Sequence, residues 1–364
     1  MSAALHEDGM VAHGMVACCV AARAEAGGVM VYTLRVQGAS PQFLGGLRPG
    51  RHVAIEHADA SGAVQQRLYS ITRYEPCRDH GDAGQFDIAV KSSGRGSVSD
   101  HMHAVLRAGS TLPLGHVAGD ITADLVLGLD SLVMLAGGIG LTLPLALLRE
   151  LARLQQQGRR VPRTTLLLCF ARVADIPFLQ ELQHLAAHAP WFDLCIHITR
   201  EDITAHGPFV PGRPSPQSLL ALGQPQAVVI CGGHAFAQTF REHARACFPG
   251  AIQHIEAFTP PAASTAQPGE TAQACQLQIA HSGQIVEAAS GKSLLEILEG
   301  AGIAIRSQCR AGICGSCRIR ITGGSSRLEA DFCLSDREKE AGYALACCTF
   351  PSAGHIHVDL KPGA

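Results

Sequence analysis

Four cysteines near the C-terminal end of the chain have the spacing of residues that hold an iron–sulfur cluster. They are Cys309, Cys314, Cys317 and Cys347. They read C-x4-C-x2-C and then, after a gap of 29 residues, a fourth cysteine, which is the spacing of plant-type [2Fe–2S] sites. Gly312 and Gly315 lie between the first three, where glycine lets the backbone wrap closely around a small group. One-electron transfer is therefore the first chemistry that the sequence predicts.

Zinc is the alternative occupant of four thiolates. It would make the chain a different class of protein, a zinc-bearing, nucleotide-binding interaction protein without redox activity. Zinc sites usually pair two short C-x2-4-C segments, whereas three of the four cysteines here share one loop, which favours the cluster. Two neighbouring thiols are not predicted as ligands. Cys348 is expected to face away from Cys347 on a strand, and Cys333 precedes a polar turn.

The composition limits the class of protein. The chain has 364 residues, enough for two or three domains, and its net charge of −2 gives no sign of nucleic-acid binding. No run of eighteen apolar residues occurs, so no membrane span is predicted, and no coiled-coil pattern suggests more than a monomer or weak oligomer. The 14 cysteines are scattered, and acidic rather than basic residues precede the short apolar run at 14–22. These features predict a cytoplasmic protein without a secretory signal.

The hydrophobic pattern changes twice along the chain. Short alternating strands such as VMVYTLRV and QFDIAVKS predict an antiparallel β-barrel, and strands alternating with helices then predict a parallel sheet. The apolar stretch Leu125–Leu135 is interpreted as a buried strand of that sheet. The stretch TPPAASTAQPGETAQA has the composition of a linker. The predicted divisions are a barrel at 10–122, an α/β domain at 123–258, a linker at 259–275 and the cysteine domain at 276–364.

The strand RLYSIT offers groups suited to a phosphate-bearing aromatic cofactor. Arg67 has a fork of donors for phosphate, Tyr69 has an aromatic face for a flat ring, and Ser70 has polar groups for the edge of that ring. Further on, the glycine-rich turn KSSGRGSVSDHMH opens a helix, and helix starts attract pyrophosphate. Each feature also has a structural interpretation: an exposed arginine on a surface strand, and a helix capped by serine or aspartate.

A second glycine-rich turn, LAGGIGLTLPL, follows an apolar strand and opens a helix. Gly137, Gly138 and Gly140 allow a dinucleotide to approach the backbone closely. The turn lacks the G-x-G-x-x-G pattern, so a purely structural glycine turn is the alternative.

These motifs together resemble the ferredoxin–NADP reductase superfamily, and in particular the oxygenase reductases that carry a plant-type ferredoxin domain at the C-terminus. The reductases of phthalate dioxygenase, of phenylacetyl-CoA epoxidase and of carnitine- or betaine-type demethylases are of this kind. The resemblance implies a flavin-binding barrel, an NAD(P)-binding α/β domain and a β-grasp ferredoxin domain. It implies flavin contacts at Arg67, Tyr69 and Ser70, and phosphate contacts at Gly96, Ser97, Val98 and Ser99. The form of the latter turn favours FAD, with FMN as the alternative.

The resemblance also implies a pyridine nucleotide site. It assigns nucleotide contacts to Gly137, Gly138, Gly140, Thr142, Thr199, Arg200, Cys231 and Gly232. Two departures from the family pattern occur, since Leu143 separates Thr142 from the proline and Gly233 replaces the proline of C-G-P. NADH is expected, with NADPH as the alternative. Tyr69, Ser70 and Cys231 are the expected catalytic residues.

The expected function is electron transfer from NAD(P)H through flavin and a [2Fe–2S] cluster to an acceptor protein. A terminal Rieske-type oxygenase is the expected acceptor. A diiron monooxygenase and a hybrid-cluster protein are the alternatives.

Overall fold

The computed structural model of the chain describes residues 15–77, 83–259, 261, 275–288 and 291–360. The chain divides into two compact units, Met1–Cys231 with His243–His254 and Gly232–Glu242 with Ile255–Ala364. Among the described residues, no helix combines the length and the apolar character that a membrane crossing requires.

The first part of the chain forms a closed antiparallel barrel of six strands. Its strand order is β1-β2-β5-β4-β3-β6. The elements are β1 (Val16–Glu25), β2 (Val29–Val36), α1 (Pro41–Gly46), β3 (His52–Ala58), β4 (Val64–Pro76), β5 (Gly84–Lys91), α2 (Val98–Val105) and β6 (Thr111–Ala118). Inward-facing side chains such as Tyr32, Leu34 and Ile71 fill the interior and are fully buried, as alternation along the strands requires.

The second part is a six-stranded sheet with the order β10-β9-β8-β7-β11-β12. The elements are α3 (Ala123–Val126), β7 (Ser131–Gly137), α4 (Thr142–Gln156), β8 (Arg163–Phe170), α5 (Leu179–His188), β9 (Phe192–Ile198), β10 (Phe209–Pro211), α6 (Pro216–Leu220), β11 (Ala227–Gly232), α7 (His234–Cys247) and β12 (Ile252–Ala257). Strand β7 pairs in parallel with β8 and β11. Every residue of β11 is buried, as expected for a central strand covered on both faces.

The prediction of one buried strand over Leu125–Leu135 was only half right. The structure places a short helix, α3, at Ala123–Val126, and strand β7 begins at Ser131. Val126 is fully buried on the helix, so burial rather than strand structure explains why the first half of the stretch is apolar. Periodicity alone does not separate a short buried helix from a strand.

The C-terminal part is a five-stranded mixed sheet with the order β14-β13-β17-β15-β16. Its elements are β13 (Cys275–Ile279), β14 (Ile285–Ala288), α8 (Leu294–Gly300), β15 (Arg318–Leu328), α9 (Asp336–Glu340), β16 (Tyr343–Leu345) and β17 (Thr349–Asp359). Cys275, predicted as the last linker residue, instead begins β13. Most of the predicted linker, residues 260 and 262–274, lies outside the described residues. The predicted fold class of barrel, parallel α/β sheet and C-terminal α+β domain is confirmed.

Gly50 gives a stability test of the first unit. Its φ is +92°, and an added Cβ would lie 2.2 Å from the carbonyl oxygen of Ile121. Gly62 has a similar φ of +86° with nothing within 4 Å of an added Cβ. Both alanine variants carry left-handed strain of about 1–2 kcal/mol. We expect Gly50→Ala to lose about 1–3 kcal/mol more in unfolding free energy, because its backbone must also move. Denaturant unfolding of both variants measures the difference, and equal losses would contradict the steric explanation.

Candidate functional site

The carboxyl ends of the parallel strands gather the predicted nucleotide residues. Cys231 of β11 pairs with Ala136 of β7, next to Gly137. At the end of β9, the Thr199 N–H and hydroxyl both donate to the carbonyl of Phe170 on β8, at 2.9 and 3.2 Å. Because the strands are parallel, these positions lie at one edge of the sheet, where open α/β sheets bind ligands. Arg200 follows Thr199 and is exposed, whereas Cys231 is fully buried.

The turn after β7 carries the nucleotide loop directly into a long helix. Gly138 has a φ of +57°, and residues Gly138–Leu141 form one 3-10 turn before α4 begins at Thr142. Leu143 and Pro144 therefore lie within the first turn of α4, where proline needs no N–H partner. The Thr142 hydroxyl is 3.1 Å from the carbonyl of Ile139, to which it donates. Helix α4 has 15 residues, and Pro144 removes one of the first-turn N–H groups that its start could present to an anion.

Thr142 also connects the nucleotide loop to the predicted flavin strand. Its hydroxyl oxygen lies 3.3 Å from the hydroxyl oxygen of Ser70 on β4, so the two hydroxyls share a hydrogen bond. Both residues are buried, Thr142 at 4% and Ser70 at 6% exposure. Two residues whose roles were predicted from separate motifs are thus joined by a buried hydrogen bond.

Tyr69 and Arg67 lie on the same strand, β4. The Tyr69 hydroxyl shares a 3.1 Å hydrogen bond with Ser99, at the start of α2. Burial raises the pKa of Tyr69, and the Ser99 hydrogen bond partly offsets that rise. Tyr69 is 9% exposed. The Arg67 guanidinium is half-buried and donates to Gln65 and to the carbonyl of Gln66. The strand therefore brings Tyr69 to the helix start that was predicted to bind phosphate.

The glycine-rich turn before α2 is organised by a residue that the sequence analysis did not assign, Asp100. Its carboxylate accepts hydrogen bonds from four main-chain N–H groups and from three serine hydroxyls. The N–H donors are Ser93, Gly94, Arg95 and Ser97, and the hydroxyl donors are Ser92, Ser93 and Ser97. These hydrogen bonds, led by those of the Ser92 and Ser93 hydroxyls, hold the pKa of Asp100 far below its usual range. The S-x-x-D pattern of a capping box was the signal that could have identified it.

Asp100 changes how the predicted phosphate contacts are interpreted. Ser97 is the N-cap of α2, and its side chain and N–H both serve the capping box with Asp100. The Val98 side chain is buried at 1% exposure, so only its backbone faces an incoming anion. Gly96 has a φ of +71°, and its carbonyl accepts from the N–H of Ala60. The capped-helix interpretation thus describes the turn itself, and the phosphate contacts stay a prediction.

The cysteine loop has the backbone that a cluster requires. Three of its residues adopt left-handed conformations, Arg310 at φ +55°, Gly312 at +78° and Gly315 at +72°. The loop turns two main-chain N–H groups, those of Ala311 and Cys314, toward the sulfur of Cys309 at 3.4 Å. Such donors stabilise the negative charge of cluster sulfurs and tune their potential.

The four predicted ligands form two pairs. The Cys309 thiol hydrogen-bonds to Cys314, which lowers the pKa of Cys314 and raises that of Cys309. A hydrogen bond also joins Cys317 to Cys347 and raises the pKa of Cys317. Among the described residues, no three His, Cys, Asp or Glu side chains gather around a single metal position. The ligand assignment of these four cysteines stays a prediction from their plant-type spacing.

The predicted geometry of the fourth ligand was wrong in one respect. Cys347 lies not on a strand but in a 3-10 turn, Ala346–Cys348, between β16 and β17. Cys348 therefore does not face away from it, and their sulfur atoms are 3.7 Å apart, both buried. Cys333 is exposed. The tight turn, which strand alternation does not predict, places two thiols side by side.

Comparisons with known proteins agree with this geometry. Residues 277–352 match the family model described as a 2Fe-2S iron-sulfur cluster binding domain. The chain is 24% identical over 340 residues to a glycine betaine monooxygenase reductase subunit of Chromohalobacter salexigens, covering 86% of this chain and 87% of that protein. It is 25% identical to one of the subunits of the 1,2-phenylacetyl-CoA epoxidase of Escherichia coli, with coverage of 86% and 88%. The structure of phthalate dioxygenase reductase matches with a TM-score of 0.59 and 23% identity, over 96% of this chain and 98% of that one.

The C-terminal match assigns a [2Fe–2S] domain, and the relatives named as a reductase subunit and as NAD(P)H oxidoreductases indicate an electron-transfer oxidoreductase. Residues 277–352 therefore belong to the 2Fe-2S iron-sulfur cluster binding domain family, and most of the chain is similar to reductase subunits of oxygenase systems.

The role of Asp100 can be tested by removing its charge. We expect Asp100→Asn to lose about 1–2 kcal/mol of unfolding free energy at pH 7, because several turn donors lose an ionised acceptor. The folded-state pKa of Asp100 is depressed, so its stabilisation is present above the ordinary aspartate pKa of about 3.9 and declines as the pH falls below it. Denaturant unfolding at several pH values measures the gap between variant and wild type.

Asp124→Asn is the matched control for Asp100→Asn. It removes the same charge from an exposed ion pair with Arg48. Such exposed pairs contribute at most about 1 kcal/mol. A stability gap for Asp100→Asn that persists unchanged into acid would exclude the ionised carboxylate as its cause.

Proposed function

We propose that this chain transfers electrons from NADH, through FAD and a [2Fe–2S] cluster, to a terminal Rieske-type oxygenase. The observation that carries the proposal is the buried hydrogen bond between Thr142 and Ser70. It places the loop proposed for the nucleotide against the strand proposed for the flavin, as hydride transfer between the two requires. When bound, the flavin supplies the conversion of a two-electron hydride into single electrons that the cluster can accept.

The chain's own residues would position the reacting groups. Thr142, with one hydrogen bond to Ile139 and one to Ser70, fixes the start of α4 relative to β4. We assign Ser70 to the polar edge of the flavin ring and Tyr69 to the ring itself, with Arg67 toward the phosphates. Cys231 is buried at the end of β11, and we assign it to the nicotinamide side, with Gly232 following it. Thr199 and Arg200 are assigned to the adenosine end.

We propose FAD over FMN from the form of the turn before α2. Ser97 and Ser99 lie at the start of this helix, where a diphosphate would be attracted. FMN is the alternative.

The acceptor is proposed from the relatives. Several oxygenase systems occur among them, including the glycine betaine monooxygenase and the phenoxybenzoate dioxygenase systems, alongside an NADH oxidoreductase of Escherichia coli named HCR. We infer a Rieske-type oxygenase as the acceptor, with a diiron monooxygenase or a hybrid-cluster protein as alternatives. The thiol-rich cluster domain also fits a reducing, cytoplasmic compartment, and we propose that the protein acts there as a monomer or weak oligomer.

The cofactor content gives a direct test. We expect the anaerobically purified protein to absorb as a flavin and a [2Fe–2S] cluster, and NADH to bleach both. Cys314→Ser should lose the cluster bands and the bound iron while NADH still bleaches the flavin, because the four thiolates act together as ligands. Cys333→Ser is the matched control and should retain both. Full iron content in Cys314→Ser would refute the ligand assignment, and a colourless, zinc-containing wild type would refute the proposed function.

The acceptor can be tested by reconstitution. We expect the NADH-reduced protein to reduce the Rieske centre of a purified Rieske-type oxygenase at least tenfold faster than a diiron monooxygenase or a hybrid-cluster protein at equal concentration. A tenfold preference corresponds to about 1.4 kcal/mol of selectivity. Absorbance and electron paramagnetic resonance of each acceptor report the transfer. Faster reduction of either alternative acceptor would replace the Rieske assignment and leave the reductase chemistry intact.

A further inference from the structure

Helix α7 makes a specific contact with a loop segment of the cluster domain, Ala330–Phe332. The first residue of the helix, His234, has its Nε2 atom 2.6 Å from the carbonyl oxygen of Ala330. Because a carbonyl only accepts, Nε2 carries the proton and donates it. The His234 ring also packs against the Phe332 ring with centroids 5.3 Å apart. His234 is only 4% exposed, so this hydrogen bond is shielded from water.

Arg241 makes the second part of the contact from the same face of the helix, two turns further on. Its Nη1 atom donates to the carbonyl of Asp331 at 2.7 Å. Its guanidinium carbon lies 4.9 Å from the centroid of the Phe332 ring, in the range of a cation–π interaction. His234 and Arg241 thus hold three consecutive residues through two main-chain carbonyls and one aromatic ring.

The segment Ala330–Phe332 in turn holds the cysteine loop. The N–H of Phe332 donates to the carbonyl of Gly312 at 2.8 Å, between Cys309 and Cys314. The Asp331 carboxylate braces the segment from within, since it accepts from the N–H of Leu334 at 2.8 Å and pairs with Lys339 at 3.0 Å. A displacement of the segment would therefore move the backbone that carries two of the proposed ligands.

The chain of contacts that begins at the cysteine loop and passes through Ala330–Phe332 ends at the start of α7. The helix follows Gly232 and Gly233, and these follow Cys231, which we assign to the nicotinamide. The N–H of His234 donates to the Thr259 hydroxyl at 3.0 Å, which fixes the first turn of the helix. The same residue thus anchors the helix start with its backbone and the cluster domain with its ring.

We propose that His234 and Arg241 are positioning residues for electron transfer to the cluster. They hold the cysteine loop in place through their contacts with Ala330–Phe332. The inference rests on the proposed function and adds two residues that the motifs do not contain. It requires that loss of the contact slows cluster reduction while reduction of the flavin by NADH is unchanged.

The test compares variants of the full-length protein with both cofactors bound. His234→Ala removes the donor, His234→Gln keeps an N–H donor at similar reach, and Arg241→Lys keeps the charge but loses the planar stacking. The controls are His281→Ala, an exposed residue of the same unit, and Arg245→Ala, an exposed residue of the same helix. Anaerobic rapid mixing with NADH follows the flavin and cluster bands separately. Hydrogen exchange of 330–334 reports the contact without reference to activity.

For His234→Ala we expect the rate of cluster reduction to fall about tenfold. This factor corresponds to the usual free energy of one buried hydrogen bond. Flavin reduction should stay at the wild-type rate, and exchange at 330–334 should be faster. His234→Gln should recover much of the loss, Arg241→Lys should lose part, and both controls should match wild type. Wild-type cluster reduction in His234→Ala and Arg241→Lys would overturn the positioning role, as would equal slowing of flavin reduction. A wild-type protein whose cluster is not reduced by NADH would instead refute the proposed function.

Discussion

The pairing of β15 with β16 is the constraint on which the cysteine site depends. The fourth proposed ligand, Cys347, lies far along the chain from the other three, so the fold must bring it next to the cysteine loop. Arg318 pairs with Leu345 in this antiparallel ladder, and the N–H of Ala346 donates to the carbonyl of Cys317 at 2.9 Å. Cys317 and Cys347 are therefore neighbours because of strand register. A shift of one residue would turn the side chains to the opposite face and separate the two thiols.

A different constraint assembles the other two proposed sites. A parallel sheet brings the ends of its strands to one edge regardless of what the side chains there are. The barrel contributes one strand, β4, whose Ser70 meets Thr142 at that edge. The loop proposed for the nucleotide needs only a short turn followed by a long helix. The strand proposed for the flavin belongs to the barrel, so a separate contact must hold it against that loop. The buried position of both hydroxyls makes this hydrogen bond costly to leave unmade.

The sequence predicted the fold well because each part has its own periodicity. Alternation predicted the strand VMVYTLRV, and the structure has it as β2 at Val29–Val36 with the same bounds. The cysteine spacing predicted the family. It could not predict that Cys347 lies in a 3-10 turn, because three residues are too few for any period to appear. The helix α3 was missed for the same reason, since Ala123–Val126 is one turn long.

The residues that were missed share a physical property, which is that several of their hydrogen-bond partners are main-chain atoms. Asp100 accepts from the N–H groups of a turn, and His234 and Arg241 donate to the carbonyls of Ala330 and Asp331. Every residue type supplies a main-chain carbonyl, so one side of such a contact leaves no mark in the sequence. Only the side-chain partner is constrained, and a lone histidine or arginine on a helix resembles any surface residue. Motifs reveal side chains that act on cofactors, whereas the residues that hold those motifs in place become visible only when the backbone is seen.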